Sequence, residues 1–297
     1  MPRPKCIIIL SEKSSGSSAC QNLLSKFAIV QHVSSTRHFE NETLYWTKAA
    51  SILGLHQEKM LDSEVPIPPD AAKADLLELL KDNLDSYTQP FDNRTLIFDG
   101  WRLLCEHFAP VFLEKSPHHL FQWSALQLIL ECMRTLDSID FLLIGLVRNP
   151  MDTIYSQFKR WRTRPEQLQF QWATAYLNLL RLADEVGGRL VIIRYEDMVA
   201  SLDYLKPVFD FCAVQIDSAD QEYLHERSIL KWKADRLFGF KLAKEVADLA
   251  GKYGYSDFEL SNASIPLWPA YREVSRLGYR AALGLRGVTR SFLSNSD

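Results

Sequence analysis

The sequence has no apolar run long enough to cross a bilayer. Only a few residues precede its first apolar segment, Cys6 to Leu10, and that segment is too short for a membrane span or a secretory signal core. The expectation is a cytoplasmic protein. Cysteine is sparse: Cys6, Cys20, Cys105, Cys132 and Cys212 are scattered, odd in number and without CxxC spacing. They read as reduced core thiols, not as a disulfide framework or thiolate metal ligands. The histidines lack HExxH spacing, so no metal is expected. An excess of positive charge is also missing. The net charge of −3 argues against a broad nucleic-acid surface, and an anionic ligand would need a local cluster of cations. No internal repeat is visible. Asn41, Asn93 and Asn262 each begin an Asn-x-Ser/Thr triplet, which without a secretory signal is a chance match.

What is present is an ordinary globular composition, 47% hydrophobic and 24% charged over 297 residues, enough to bury one large α/β core. Cys6 to Leu10 is short and β-branched, as a strand covered on both faces should be. Further strands are expected within Phe27 to Val33, at Arg94 to Phe98, Pro110 to Leu113, Phe141 to Val147 and Leu190 to Arg194. Between them fall helical patterns: from about Thr43, at Leu76 to Leu84, from Leu120 to Leu136, from Met151 and from Pro165 to Glu185. Val65-Pro66-Ile67-Pro68-Pro69 marks a linker, and residues 56–90 read as a helical cap or insertion. Strands alternating with helices imply a parallel sheet with right-handed crossovers, whose ligands bind beyond the strands' carboxyl ends. The polar groups following Leu10, Leu113 and Val147 should therefore converge on one crevice.

The first strand runs into Ser11-Glu12-Lys13-Ser14-Ser15-Gly16-Ser17-Ser18 and then a helix. Gly16 permits a sharp turn and a close backbone approach. The helix N-terminus beyond it favours an anion such as phosphate or sulfate. The lysine precedes the glycine, so this is not GxxxxGK[ST]. Arg148-Asn149-Pro150 ends a later strand, and Ser156 follows two turns into the next helix; a guanidinium fork and a hydroxyl can hold a phosphate from two directions. Two other stretches keep two readings each. Ser34 to Trp46 is polar, aromatic and acidic, either an acceptor-recognition loop or a solvated loop before a helix. Arg272, Arg276, Arg280, Arg286 and Arg290 form a basic helical stripe, either a solvated face or a contact for a phosphate-rich or membrane-surface partner. The aromatics Phe39, Tyr45, Trp46, Trp101, Phe121, Trp123 and Trp161 can stack on an acceptor or build core.

Taken together, these motifs resemble the sulfotransferases that use 3′-phosphoadenosine 5′-phosphosulfate (PAPS). Lys13-Ser14-Ser15-Gly16-Ser17-Ser18 is similar to the family's 5′-phosphosulfate loop, although the lysine stands one residue further from the glycine than usual. Arg148-Asn149-Pro150 with Ser156 is similar to its 3′-phosphate site. Ile193-Arg194-Tyr195-Glu196-Asp197-Met198 with Phe209 to Cys212 resembles a strand end and its next helix. Glu114-Lys115-Ser116-Pro117 and Arg37-His38-Phe39-Glu40 resemble segments of the carbohydrate enzymes, and Lys231-Trp232-Lys233 a basic, aromatic segment over the nucleotide. The resemblance spans roughly residues 5–255.

It implies a P-loop-like parallel sheet flanked by helices, with residues 1–255 as the sulfotransferase domain and 256–297 as a helical extension packed on it. It implies PAPS as co-substrate, bound by Lys13, Ser14, Ser15, Gly16, Ser17, Ser18, Arg148, Ser156, Lys231, Trp232 and Lys233. The sulfuryl group would pass in line to a hydroxyl of a sugar, glycolipid or small alcohol. Lys13 and Lys115 are the candidate catalytic cations, and His118, His38 and Glu40 compete as general base. The alternatives are a kinase with a degenerate phosphate loop and a nucleotide-binding relative without catalysis.

Overall fold

The computed structural model describes residues 3–216, 224, 228–262 and 267–294, with side chains as far as residue 283. The side chains of Arg286 and Arg290 and most of the Asn262-Ala263-Ser264 triplet thus lie outside the described residues.

Five strands form one sheet: β1 (Lys5–Ser11), β2 (Val30–Gln31), β3 (Val111–Lys115), β4 (Asp140–Val147) and β5 (Leu190–Arg194), in the order β2-β3-β1-β4-β5. Every pairing is parallel. β1 is central, with Ile8 beside both Glu114 and Leu143. Its alternation has apolar partners on both faces. Cys6, Ile8 and Leu10 join one core cluster and Ile7 and Ile9 the other, which is why the segment carries no polar residue between Cys6 and Leu10. β4 divides the same way, Phe141 and Leu143 facing one core and Leu142, Ile144 and Leu146 the other.

Helices cover both faces. α1 (Ser17–Leu24) follows β1, and α2 (Tyr45–Ile52), α3 (Pro69–Asn83) and α4 (Asn93–His107) precede β3. α5 (His118–Phe121) and α6 (Trp123–Thr135) connect β3 to β4; α7 (Pro150–Trp161) and α8 (Pro165–Val186) connect β4 to β5. Beyond β5 come α9 (Tyr195–Ala200), α10 (Lys206–Cys212), α11 (Lys231–Ala234), α12 (Lys244–Lys252), α13 (Asp257–Leu260) and α14 (Trp268–Ser294). The 22-residue α8 presents Trp172, Ala175, Tyr176, Leu179 and Leu182 to the larger core.

One expected strand is a helix. Arg94 to Phe98 lies in the first turns of α4. The Asp92 carboxylate caps it by accepting the Thr95 N–H at 2.8 Å. Leu96, Ile97, Gly100, Trp101, Leu104 and Cys105 then make a buried stripe at helical spacing. Five apolar-rich residues fit either period; the stripe that decides between them lies further on, beyond Phe98. The other expected strands are strands, and all five cysteines are free and buried. Tyr45, Trp46 and Trp101 belong to the larger core, their rings 4.8 to 5.3 Å apart. No described helix is long and apolar enough to cross a membrane.

Because β1 is packed from both sides, truncating it should be costly. Ile8→Ala removes a fully buried side chain and is expected to destabilise the fold by about 2–5 kcal/mol, measured as a lowered urea midpoint at unchanged slope.

Candidate active site

The chain order around the sheet reverses at β1: the path moves outward to β2 on one side, returns through β3, then continues to β4 and β5 on the other. Such a switch point opens a crevice at the strands' carboxyl ends. A cavity of about 770 Å³ lies there, lined among others by Lys13, Ser14, Gly16, Ser17, Ser18, His118, Arg148 and Ser156. The segments after β1, β3 and β4 meet in this one space. An adjoining cavity of about 450 Å³ shares Arg148, Ser156 and Arg160 and adds Lys159, Ser228 and Lys231.

The loop after β1 is built to turn. Ser14 (φ 63) and Gly16 (φ 89) both have left-handed backbone, and Gly16 precedes the first residue of α1. A Cβ on Gly16 would sit 2.2 Å from the Tyr195 ring, so only glycine fits beneath that ring. The first N–H groups of α1 have no intrahelical acceptor, and Ser17 and Ser18, which open that helix, line the cavity. Behind the loop, the buried Glu12 carboxylate accepts from Gln171 at 2.7 Å and Gln157 at 3.2 Å, tying β1 to α7 and α8. Burial raises its pKa.

Lys13 lines the cavity and is buried, its ammonium directed to the 61–62 segment. It donates to the carbonyls of Leu61 and Asp62 and lies 5.1 Å from the centre of the Trp161 ring. Burial lowers its pKa, against the opposing field of Glu12. The cation beside the α1 N-terminus is instead Lys115, at the end of β3. It is fully buried, its Nζ 3.3 Å from Ser18 Oγ and 3.2 Å from Glu42 Oε1.

Glu42 is the site residue that sequence reasoning missed. It lines the cavity, pairs with Lys115 and lies 3.7 Å from His118 Nδ1. Its pKa is raised, first by burial and then by Glu40 and Glu114, with Lys115 opposing. The Glu114-Lys115-Ser116 segment holds it. Ser116 Oγ accepts the Thr43 and Leu44 N–H groups at 3.1 and 2.9 Å, and Glu114 Oε1 accepts the Thr43 and Ser116 hydroxyls. Burial would raise the Glu114 pKa, but His119, 3.3 Å away, and these hydroxyl donors bring it below its ordinary value. The loop carrying Glu42 is thereby fastened to the end of β3. Nothing local marked Glu42 out, since it stands in the Asn-Glu-Thr triplet of a polar loop.

His118, His38 and Glu40 also line the cavity. His118 is nearly enclosed, and burial, then the Lys13 charge, holds its pKa well below the usual histidine value. His38 lies 3.1 Å from Asp75 and 3.4 Å from Glu64. Burial would raise the Asp75 pKa, but hydrogen bonds from His38 and Lys48 bring it to about 2. Glu40 accepts from Ser18 Oγ and lies 3.8 Å from Lys115.

Arg148 forks between two segments. It donates to Ser14 O at 2.9 Å and Ser228 O at 2.7 Å, with the Tyr195 ring 4.6 Å away, while its buried Nε has no hydrogen-bond partner among the described residues. Asp152, below it, has its pKa pushed up to about 6 by burial despite Arg148. Three expected binding residues stand off the two cavities. Ser15 Oγ is buried against Tyr176 Oη at 3.0 Å. Trp232 is fully buried in the cluster of Met151, Ile154 and Phe158. Lys233 donates to Phe258 O at 2.6 Å and lies over that ring. Lys231 does line the adjoining cavity. Of the aromatic candidates, Phe39 and Trp161 line the main cavity.

A family model described as "Sulfotransferase family" matches residues 4–218. No curated protein matches. Among solved structures, the sulfotransferase domain from the curacin biosynthetic pathway is 19% identical, with 86% of this chain and 99% of that one covered and a TM-score of 0.56. A sulfotransferase from Alicyclobacillus acidocaldarius is 13% identical, covering 91% of this chain and 99% of that one with a TM-score of 0.43. The curacin domain supports a shared fold, and the matched residues contain all five strands of the sheet and the three strand-end segments that meet at the cavity. The chain belongs to the sulfotransferase family.

Proposed function

We propose that this chain moves a sulfuryl group from PAPS to a hydroxyl on a sugar, glycolipid or small alcohol. One observation carries the reading: the Gly16 loop and the start of α1 open on a cavity that Lys13 and Arg148 also line, with the buried Lys115 ammonium against Ser18 and paired with a carboxylate of raised pKa, Glu42. Together the two adjoining cavities offer room on the scale of a nucleotide and a small acceptor.

In this reading the loop amides from Gly16 to Ser18 and the Lys115 ammonium hold the 5′-phosphosulfate. Arg148, Ser156 and Lys231 hold the 3′-phosphate, and Lys13 covers the acceptor side of the transferring group. The acceptor oxygen attacks sulfur, and a new S–O bond forms as the bond from sulfur to the bridging phosphate oxygen breaks. That electron pair leaves with adenosine 3′,5′-bisphosphate, where the cations stabilise it. The acceptor proton goes to a carboxylate oxygen of Glu42. Burial strengthens Glu42 as a base and weakens His118. A second reading keeps His118 as base on the strength of its 3.7 Å approach to Glu42.

Arg148→Ala should weaken binding of adenosine 3′,5′-bisphosphate by about tenfold to a hundredfold, read by titration calorimetry, with Arg148→Lys restoring part of it. Glu42→Gln should keep that affinity and lower kcat by roughly 10²–10⁴-fold in transfer of labelled sulfate to an acceptor panel; full activity would return the role of base to His118.

The pH profile follows from the same shift. Glu42 works unprotonated, and its pKa lies above the ordinary 4.5. Activity should therefore rise with pH through a point above that value. The acidic limb should persist in His118→Asn and be absent from the residual activity of Glu42→Gln.

A further inference from the structure

A third cavity, of about 490 Å³, opens beside the main one, and the two share Asp62 and Trp161 in their walls. Its other lining includes four arginines: Arg162 and Arg164 from the connection between α7 and α8, and Arg276 and Arg280 from α14. Among its lining residues Asp62 is the single carboxylate, and Asp62 already accepts the Thr163 hydroxyl. The arrangement is held in place from below. Trp268 and Tyr271 of α14 pack against Phe158 of α7 at ring separations of 5.4 and 6.4 Å. Arg272 pairs with Glu166 at the start of α8. Residues 276, 279, 280 and 283 then fall on one helical face, and all four line the cavity.

Four guanidinium groups around one carboxylate leave an excess of positive charge. Arg276 is partly answered by Glu273, 3.2 Å away. Arg162 leans over the Phe158 ring at 5.4 Å. Converging arginine forks match phosphate or carboxylate oxygens. In the sulfuryl-transfer reading the donor nucleotide has its cations elsewhere, since the cavity holding Arg148, Ser156 and Lys231 shares no lining residue with this one. The arginine cavity instead adjoins the space where Lys13 meets the Asp62 carbonyl, the side that the same reading gives to the acceptor. α14 also lies outside the residues matched by the family model.

We infer that the acceptor is itself anionic: it carries a phosphate or carboxylate that sits among Arg162, Arg164, Arg276 and Arg280 while its hydroxyl reaches past Trp161 toward Glu42. This rests on the sulfuryl-transfer reading for the hydroxyl end; the anion site stands on the cavity alone.

The test is calorimetric titration of sodium tripolyphosphate into the full chain saturated with adenosine 3′,5′-bisphosphate. One salt-sensitive site is expected. Arg276→Gln/Arg280→Gln and, separately, Arg162→Gln/Arg164→Gln should each weaken it by about tenfold or more while nucleotide affinity stays constant. The two pairs lie on different segments, so a loosened α14 cannot explain both losses. In parallel, glycerol and glycerol 3-phosphate are compared as acceptors, the phosphate ester being expected to show the lower KM. Cosedimentation with phosphatidic acid vesicles, lost in the same variants, would assign the anion to a lipid; tripolyphosphate binding without vesicle binding would assign it to a soluble acceptor. Absence of tripolyphosphate binding, or binding unaltered in both double variants, overturns the inference. Absence of transfer to any acceptor, or of nucleotide binding, strikes the sulfuryl-transfer reading alone, since the variants still report on tripolyphosphate.

Discussion

The structure depends on how β1 is enclosed. A central strand flanked by β3 and β4, with apolar cores on both faces, has no room for charge between Cys6 and Leu10. Charge is displaced to its two ends, Lys5 at the start and Glu12 and Lys13 beyond the carboxyl end, where the flanking strands end as well. Glu12, Lys13, Glu114, Lys115 and Arg148 all lie within a residue or two of a strand terminus, and all are buried. Burial of that kind is costly unless each charge has partners. The site is consequently a network: Lys115 with Glu42, Glu114 with His119, Glu12 with two glutamines, Arg148 with two carbonyls.

That network divides the labour of the motifs. The Glu-Lys-Ser run at the end of β3 acts mainly as a fastening. Two of its three side chains hold the backbone and hydroxyl of Thr43 and the third pairs with Glu42. The displaced Lys13 meets the same logic. With Ser14 in left-handed conformation, the lysine one residue back points toward residues 61–62 and Trp161, leaving the N-terminus of α1 to Lys115. An offset of one position in the loop is thus answered by a cation from a neighbouring strand.

Much of this was legible in the residues. The strands β1, β3, β4 and β5 are short apolar runs bounded by turn or cap residues; covering both faces demands that pattern of β1, β3 and β4, whereas the edge strand β5 leaves Ile192 exposed. The convergence of three strand-end segments follows from parallel topology. The misreading at Arg94 to Phe98 arose because five residues cannot separate a period of 2 from one of 3.6; the rest of the α4 stripe does. Trp232 and Lys233 kept the composition of a nucleotide contact, but the tryptophan is enclosed by α7 residues and the lysine is taken by Phe258.

By itself, then, the sequence determined most of the order of strands and helices, the sharp turn at Gly16 and the convergence of that loop with Arg148 and Ser156 on one cavity. These are local patterns of backbone freedom, hydrophobic period and charge, and they are written in neighbouring residues. Only the tertiary structure decided which carboxylate is desolvated beside Lys115, where the Lys13 ammonium points, and that Arg162, Arg164, Arg276 and Arg280 share one cavity. Those outcomes depend on distances between segments up to a hundred or more residues apart. A pKa or a charge cluster is set by what surrounds a group in space, and the chain reaches that arrangement only when it is folded.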